Sequence, residues 1–291
     1  MKNSVQKKTS LYASLILLQS LVYGLGNPLT KVAYESITPF WLLGIRFTIA
    51  SLVFLLFFGR HILRQLKKTP AKDYLPAAFS MALAYIACNV SLSLTTATKV
   101  GFMMTLSVVL APLLGSLLLK KAYPLRLLPL QFLALIGVLL LYGGTGRFTF
   151  GLGDWLSLLM AILLAASLVF GEHTLKHIDA IAVSATQSVI TALISLLLAF
   201  LFDDLNILGK IEYRAWGVIL YLALFCTCLA YFLQNYALVY LQANTVAILQ
   251  CTQPIFTAFI AFLLLGEQMN GTALFGAILI VLSIVLENRL Q

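Results

Sequence analysis

The sequence predicts an all-α polytopic membrane protein with ten transmembrane helices in a 5+5 inverted-topology repeat. Three observations carry that prediction. Apolar runs of spanning length follow one another along the chain, one half repeats the other at a constant offset, and the charge balance reverses between the halves. Composition sets the frame: of 291 residues, 61% are apolar and 10% are charged, and mean hydropathy is +0.99. A soluble domain carries roughly 25% charged residues. A water-solvated globule, a disordered chain and a secreted disulfide scaffold are therefore excluded, and the bilayer is the solvent.

An apolar helix needs about 20 residues to cross the hydrocarbon core. Ten runs meet that length: 11–33, 39–58, 73–95, 98–119, 124–143, 151–173, 179–202, 214–239, 243–265 and 271–288. Their connections are short. Thr38-Pro39, Thr69-Pro70, Tyr123-Pro124, Gly143-Gly144 and Asn270-Gly271 mark several of them. A β-barrel would alternate over strands of about ten residues, and these runs are longer and continuously apolar. The first run lacks a small-residue cleavage site and is read as a retained span.

The repeat is visible in residues. Ala84-Tyr85-Ile86-Ala87-Cys88-Asn89 corresponds to Ala230-Tyr231-Phe232-Leu233-Gln234-Asn235, 146 residues later. The same offset carries Leu117-Leu118-Leu119-Lys120-Lys121 onto Leu263-Leu264-Leu265-Gly266-Glu267, with Pro112 and Pro254 one helical turn apart. The expected units are residues 1–147 (spans 1–5) and 148–291 (spans 6–10). Five crossings are odd, so the second unit is upside down. Residues 1–147 hold 15 basic and 2 acidic side chains, and residues 148–291 hold 4 and 8, which agrees with the inversion. With the N-terminus inside, 13 Lys and Arg fall in inner segments and 5 in outer ones. Both termini are therefore expected in the cytoplasm.

The net charge of +9 does not point to nucleic acid, because the basic residues sit in short loops between apolar runs. Cys88, Cys226, Cys228 and Cys251 lie inside those runs without CxxC spacing. They read as small core residues. Inverted repeats supply two related shapes, one open to each side, which is a transporter signature.

The pattern resembles the EamA-type branch of the drug/metabolite transporter superfamily over nearly the whole chain. The matching features are Lys31 ending span 1, Arg46 within Gly44-Ile45-Arg46-Phe47, and Gly153-Asp154-Trp155 opening span 6. Pro112 with Lys120-Lys121, and Pro254 with Leu264-Leu265-Gly266-Glu267, complete the set. The resemblance implies a bacterial inner-membrane carrier, often an exporter of amino acids or other small metabolites. It also implies a central cavity lined by spans 1–4 and 6–9, with spans 5 and 10 peripheral.

Polar side chains inside a membrane face other helices or a watery cavity. Gln19, Tyr23, Asn27 and Lys31 recur every four residues on span 1 and share one face. Pro28 can break that helix. Tyr85 and Asn89 on span 3 are matched by Tyr231, Gln234 and Asn235 on span 8. Spans 4 and 9 add Met103, Ser107 and Pro112, then Gln250, Gln253 and Pro254. The candidate solute-binding set is Tyr23, Asn27, Tyr85, Asn89, Ser107, Tyr231, Gln234, Asn235, Gln250 and Gln253. Pro28, Pro112 and Pro254 are candidate hinges or kinks. Lys31, Arg46 and Glu267 are read as structural charges, with solute carboxylate as the alternative role for Arg46. Ser184, Ser188, Thr191 and Ser195 on span 7 read as close packing. His173 and His177 stand four apart, yet the spacing alone favours a solvated helix end. No metal, cofactor or nucleic acid is expected.

No carboxylate lies in the middle of any span, which disfavours proton-coupled cation export. A neutral lining suits a neutral or zwitterionic, amino acid-like metabolite moved by alternating access. The expected partners are that solute and lipid, with the carrier as a monomer. The alternatives are an exporter of amphiphilic drugs or cations, and a lipid scramblase or channel. An intramembrane enzyme lacks the residues it would need.

Overall fold

A computed structural model describes residues 2–119, 125–143, 151–250 and 252–290. The Lys120-Lys121 corner, Tyr123-Pro124, Gly144, Arg147 and Cys251 lie outside the described residues, as do the side chains of Lys2, Lys7, Lys8 and Arg289. In chain order the helices are α1 (Lys2–Ala33), α2 (Pro39–Lys68), α3 (Leu75–Leu94), α4 (Ala97–Met104), α5 (Leu106–Leu119), α6 (Leu128–Gly143) and α7 (Leu152–Thr174). They continue as α8 (Ala180–Phe202), α9 (Tyr213–Ala223), α10 (Ala230–Leu238), α11 (Ala243–Gln250), α12 (Gln253–Leu265) and α13 (Gly271–Leu290).

These thirteen helices form the ten spans. Helices α2, α3, α7 and α8 and the continuous α9–α10 rod are each long and apolar enough to cross a membrane, and the bent α4–α5 pair makes a further crossing. Shorter apolar helices α6, α12 and α13 supply the others, with α1 and α11. Helix α2 outruns its apolar stretch and carries Arg60, Arg64, Lys67 and Lys68 before it stops. It stops at Thr69 (φ −113, ψ 129), because the following Pro70 disfavours helical backbone there.

Span 4 is broken, and the break is not where its proline predicts; in span 9 the described helices α11 and α12 end and begin on either side of Cys251, directly before Pro254. Helices α4 and α5 meet at 47° around Thr105, seven residues before Pro112, which lies inside α5. Thr105 closes the break by giving both its amide (3.1 Å) and its hydroxyl (2.5 Å) to the Phe102 carbonyl. Thr252 does the same to Leu249, at 3.3 and 3.0 Å. A threonine hydroxyl that satisfies a carbonyl three residues back competes with the helical ladder. Pro254 follows directly, in the first turn of α12, where its missing N–H costs nothing. Pro28 lies inside α1.

The two halves correspond in three dimensions. The 146-residue offset carries α4 onto α11 at both ends and the last residue of α5 onto that of α12. Packing follows the same exchange: α3 lies along α7 as α10 lies along α1, and α12 lies along α1 as α5 lies along α7. Helices α2 and α8 pair with each other, as do α6 and α13. The α2–α8 pair is tied at both ends. Thr38 Oγ1 donates to Asp203 Oδ2 at 2.5 Å. At the far end Gln65 donates to Asp179 Oδ2 at 2.6 Å and accepts from the Asp179 amide at 3.0 Å, with His61 also on that carboxylate. Leu56, Phe57 and Phe202 are more than 70% exposed on the outside of the bundle, as a lipid-facing surface requires.

Helices α6 and α13 cross at Gly137. A Cβ there would lie 2.7 Å from the Gly276 carbonyl oxygen and 2.8 Å from Ile280. Backbone cannot yield as a side chain can, so Gly137→Val is expected to cost about 1–3 kcal/mol, read as a lower Tm in detergent. Gly59, with nothing near its Cβ position, is the control: Gly59→Val should leave Tm within the scatter of surface substitutions, roughly ±0.5 kcal/mol.

Candidate central cavity

The bundle encloses two connected lobes. One is a narrow cleft with about 20 Å³ of room, enough for a water or two, and is lined by residues of α1, α2, α3, α4, α7, the α9–α10 rod and α12. The other has about 40 Å³ of room and reaches to Ser107, Gln234, Gln250 and Pro254. Tyr23, Tyr85, Met104, Leu164 and Gln253 line both. A larger surface groove of about 700 Å³ begins beyond Tyr34 and Leu92, at the end of the bundle that holds Lys31.

Arg46 dominates the first lobe. It is 3% exposed and lines the cavity wall. Its Nε donates to Thr227 Oγ1 at 2.8 Å and its Nη2 to the Cys226 carbonyl at 3.3 Å. That carbonyl is available because α9 and α10 are joined by a π-helical turn, Leu224–Leu229. Thr227 Oγ1 in turn donates to Leu222 at 2.9 Å. A π-turn displaces carbonyls from the regular ladder, and here the displaced group meets a buried cation. The guanidinium also lies 5.0 Å from the Phe47 ring centroid and 5.2 Å from that of Tyr85, within cation–π range. No carboxylate among the described residues faces it in either lobe.

Around Arg46 stand three tyrosines. The Tyr85 and Tyr231 rings are 5.7 Å apart, with Phe47 against both. The Tyr23 and Tyr231 hydroxyls are buried near Tyr85, and among the described residues neither makes a hydrogen bond of good geometry. Where the lobes join, the Asn27 amide donates to Met104 Sδ at 3.6 Å and the Gln253 amide to the same sulfur at 3.5 Å. A thioether is a weak acceptor, so both amides keep most of their hydrogen-bonding capacity. In the second lobe, Gln19 and Gln250 both donate to Gln234 Oε1 at 2.8 Å. This three-amide knot ties α1, α10 and α11 together.

The structure thus brings Tyr23, Asn27, Tyr85, Asn89, Ser107, Gln234, Gln250 and Gln253 to the cavity. Asn89 is braced there, accepting the Tyr34 hydroxyl at 2.7 Å. Asn235, its repeat partner in sequence, is not on the wall: its amide donates to Ser184 Oγ (2.8 Å) and Gln187 Oε1 (3.0 Å) on α8. Tyr231 is fully buried behind Tyr85. Arg46, expected as a structural charge, both braces the π-turn and faces the cavity, so the lining is not neutral. Sequence reasoning overlooked Met104, Thr105, Ser167 and Thr227. Mid-span threonines and a sulfur amid amides were the available signals. On α8, Ser184, Ser188 and Thr191 each bond a carbonyl of their own helix, while Ser195 Oγ is buried with no partner among the described residues.

Lys31 and Glu267 sit at the end of the passage, 3.5 Å apart. Lys31 donates to the Thr95 carbonyl at 2.6 Å. Glu267 accepts the Ala97 and Thr98 amides at 2.8 and 2.9 Å, which satisfies the free donors that open α4. Glu172 takes the Ala243 amide at 3.1 Å and so caps the start of α11. Gly266, at φ 64, is the left-handed residue that lets the chain turn back toward α4.

Thr227→Val keeps the shape of the site and removes the acceptor for Arg46 Nε. A buried charged donor left unpaired costs about 1–3 kcal/mol or more. Thr227→Val is expected to lower Tm accordingly, and Thr227→Ser to restore it. Equal stability in both variants would show that the bond is dispensable.

Comparison with known proteins adds the family. The sequence profile of the EamA-like transporter family matches twice, over residues 10–143 and 151–289. An uncharacterized transporter of Archaeoglobus fulgidus is 29% identical over 279 residues, covering 95% of this chain and 85% of that protein. The uncharacterized transporter YwfM of Bacillus subtilis is 25% identical over 287 residues, covering 96% and 94%. A crystal structure 17% identical in sequence superposes with a TM-score of 0.72 over 96% of this chain and 98% of the other, which speaks to the fold alone. A helical bundle of membrane-spanning length, a doubled family match and two transporter relatives along nearly their whole length lead to one conclusion: this chain is a multi-pass membrane transporter, not an enzyme, and belongs to the EamA-like transporter family.

Proposed function

We propose that the protein moves a small zwitterionic, amino acid-like metabolite through the central cavity by alternating access, in the direction of export. The observation that carries this reading is Arg46, a buried guanidinium on the cavity wall with no carboxylate opposite it. A solute carboxylate would supply the missing charge, and bidentate Arg–carboxylate pairing is the strong form of that contact. The Asn27 and Gln253 amides, held only by Met104 sulfur, are suited to the remaining polar atoms of the solute. A phosphate ester would want more than one inward cation.

Two repeats, 1–147 and 148–291, supply the paired shapes that alternating access needs. The doubled family match and the exchange of packing partners support that division. The excess of Lys and Arg in alternate connections supports cytoplasmic termini and a bacterial inner membrane as the setting. Export of amphiphilic cations is the less favoured reading, because the described cavity carries a fixed positive charge.

The test is flux in proteoliposomes for matched pairs, such as L-leucine and its decarboxylated amine. Movement of the amino acid but not the amine is expected. Movement of the amine alone would transfer the assignment to cation export. Gln253→Leu and Asn27→Leu each remove a hydrogen bond to a polar solute. A roughly tenfold loss of kcat/KM is expected from each, with Tm little changed. Unchanged kinetics in both would remove these amides from the site.

A further inference from the structure

At the end of the bundle opposite Glu267, a group of side chains stands outside the passage. His173 is in the last turn of α7 and His177 in the turn that follows it, with ring centroids 5.2 Å apart. Asp73 comes from a different segment, the 3-10 turn Ala71–Asp73 between α2 and α3. One ligand atom from each of the three lies within 4.8 Å of the others. Asp73 and His173 are half-buried and His177 is exposed, so the group is open to water. Cysteine takes no part in it.

The backbone around these donors is already fixed. The single Thr174 Oγ1 proton is shared between the Asp73 carbonyl and the Phe170 carbonyl of its own helix, each 2.8 Å away. The Asp73 amide donates to Pro70 at 3.0 Å, and the His177 amide to Thr174 at 2.9 Å. Thr174 thus pins the turn that carries Asp73 against the helix end that carries both histidines. Among the described residues, neither imidazole nor the Asp73 carboxylate is engaged by a hydrogen bond or ion pair. Their lone pairs are uncommitted, and the sequence separation of 101 residues between Asp73 and Thr174 rules out a merely local accident of helix spacing.

We propose that Asp73, His173 and His177 form a binding site for a borderline divalent metal ion of the Zn²⁺ type, which clamps the α2–α3 turn to the end of α7. Two imidazoles and one carboxylate with an open fourth position for water are a familiar zinc donor set. Bonds of about 2.0–2.1 Å place tetrahedral ligand atoms about 3.4 Å apart, so the side chains need only small rotations to close on an ion. Nitrogen donors select against Mg²⁺ and Ca²⁺, which want oxygen. Lys72 and Lys176 flank the cluster in sequence. Binding therefore rests on chelation rather than on a negative local field. The metal joins two segments whose helices, α3 and α7, already pack along each other, so its effect is to stabilise that pair.

The experiment uses the full chain, purified in detergent and stripped with a chelator. Added Zn²⁺ is expected to raise Tm by roughly 5 °C at saturation, and Mg²⁺ at the same concentration to leave it unchanged. Co²⁺ is expected to give the intense visible absorption of a tetrahedral site. Both responses should be lost in His177→Ala and in Asp73→Asn. His177 is exposed, so its replacement leaves the fold intact and keeps the test interpretable. A Zn²⁺ response of equal size in both variants, an equal response to Mg²⁺, or no response in the unmodified chain would each overturn the proposal.

Discussion

Backbone polar groups have no water to turn to inside a hydrocarbon layer, so every break in a spanning helix must be satisfied by the protein itself. The architecture rests on how that constraint is met in spans 4 and 9. Thr105 and Thr252 each return a hydroxyl and an amide to one carbonyl of the preceding helix. Glu267 and Glu172 cover the amides that open α4 and α11. These four side chains allow eight-residue helices to exist in the middle of a membrane protein. Met104, Gln250 and Gln253, at the ends of these short helices, stand on the cavity wall.

The same constraint explains Arg46. A buried cation is tolerable only where hydrogen-bond acceptors converge on it. The π-turn between α9 and α10 turns the Cys226 carbonyl and the Thr227 hydroxyl toward it, while the Tyr85 and Phe47 rings cover its faces. The site is therefore a helix irregularity and a charge that sustain each other. Their contact places a fixed positive charge at the wall of the cavity.

Much of this was legible in the residues. Polar side chains stand out against apolar runs, so Tyr23, Asn27, Tyr85 and Gln253 were identifiable as inward-facing. The span count and the two-fold order followed from run length and offset. Two features were not legible. Proline at 112 and 254 suggested the break positions, yet in span 4 the break falls at Thr105, whose hydroxyl and amide both turn to the Phe102 carbonyl. Asn89 and Asn235 are equivalent in register, but one meets Tyr34 at the cavity and the other meets Ser184 and Gln187 on α8. A linear pattern specifies the face of a helix and not the partner that arrives there.

The α2–α8 pair has a mechanical consequence. Bonds at Thr38–Asp203 and at Gln65–Asp179 pin it at both ends. A beam pinned at both ends can rock as a body but cannot open like scissors. While those bonds hold, the alternating access proposed above would have to draw on other helices, among them α12, whose Phe256 lies where a Cβ on Gly24 would be. In the proposed carrier α2 and α8 thus act as a strut, and Arg46 of α2 carries its charge on the cavity wall.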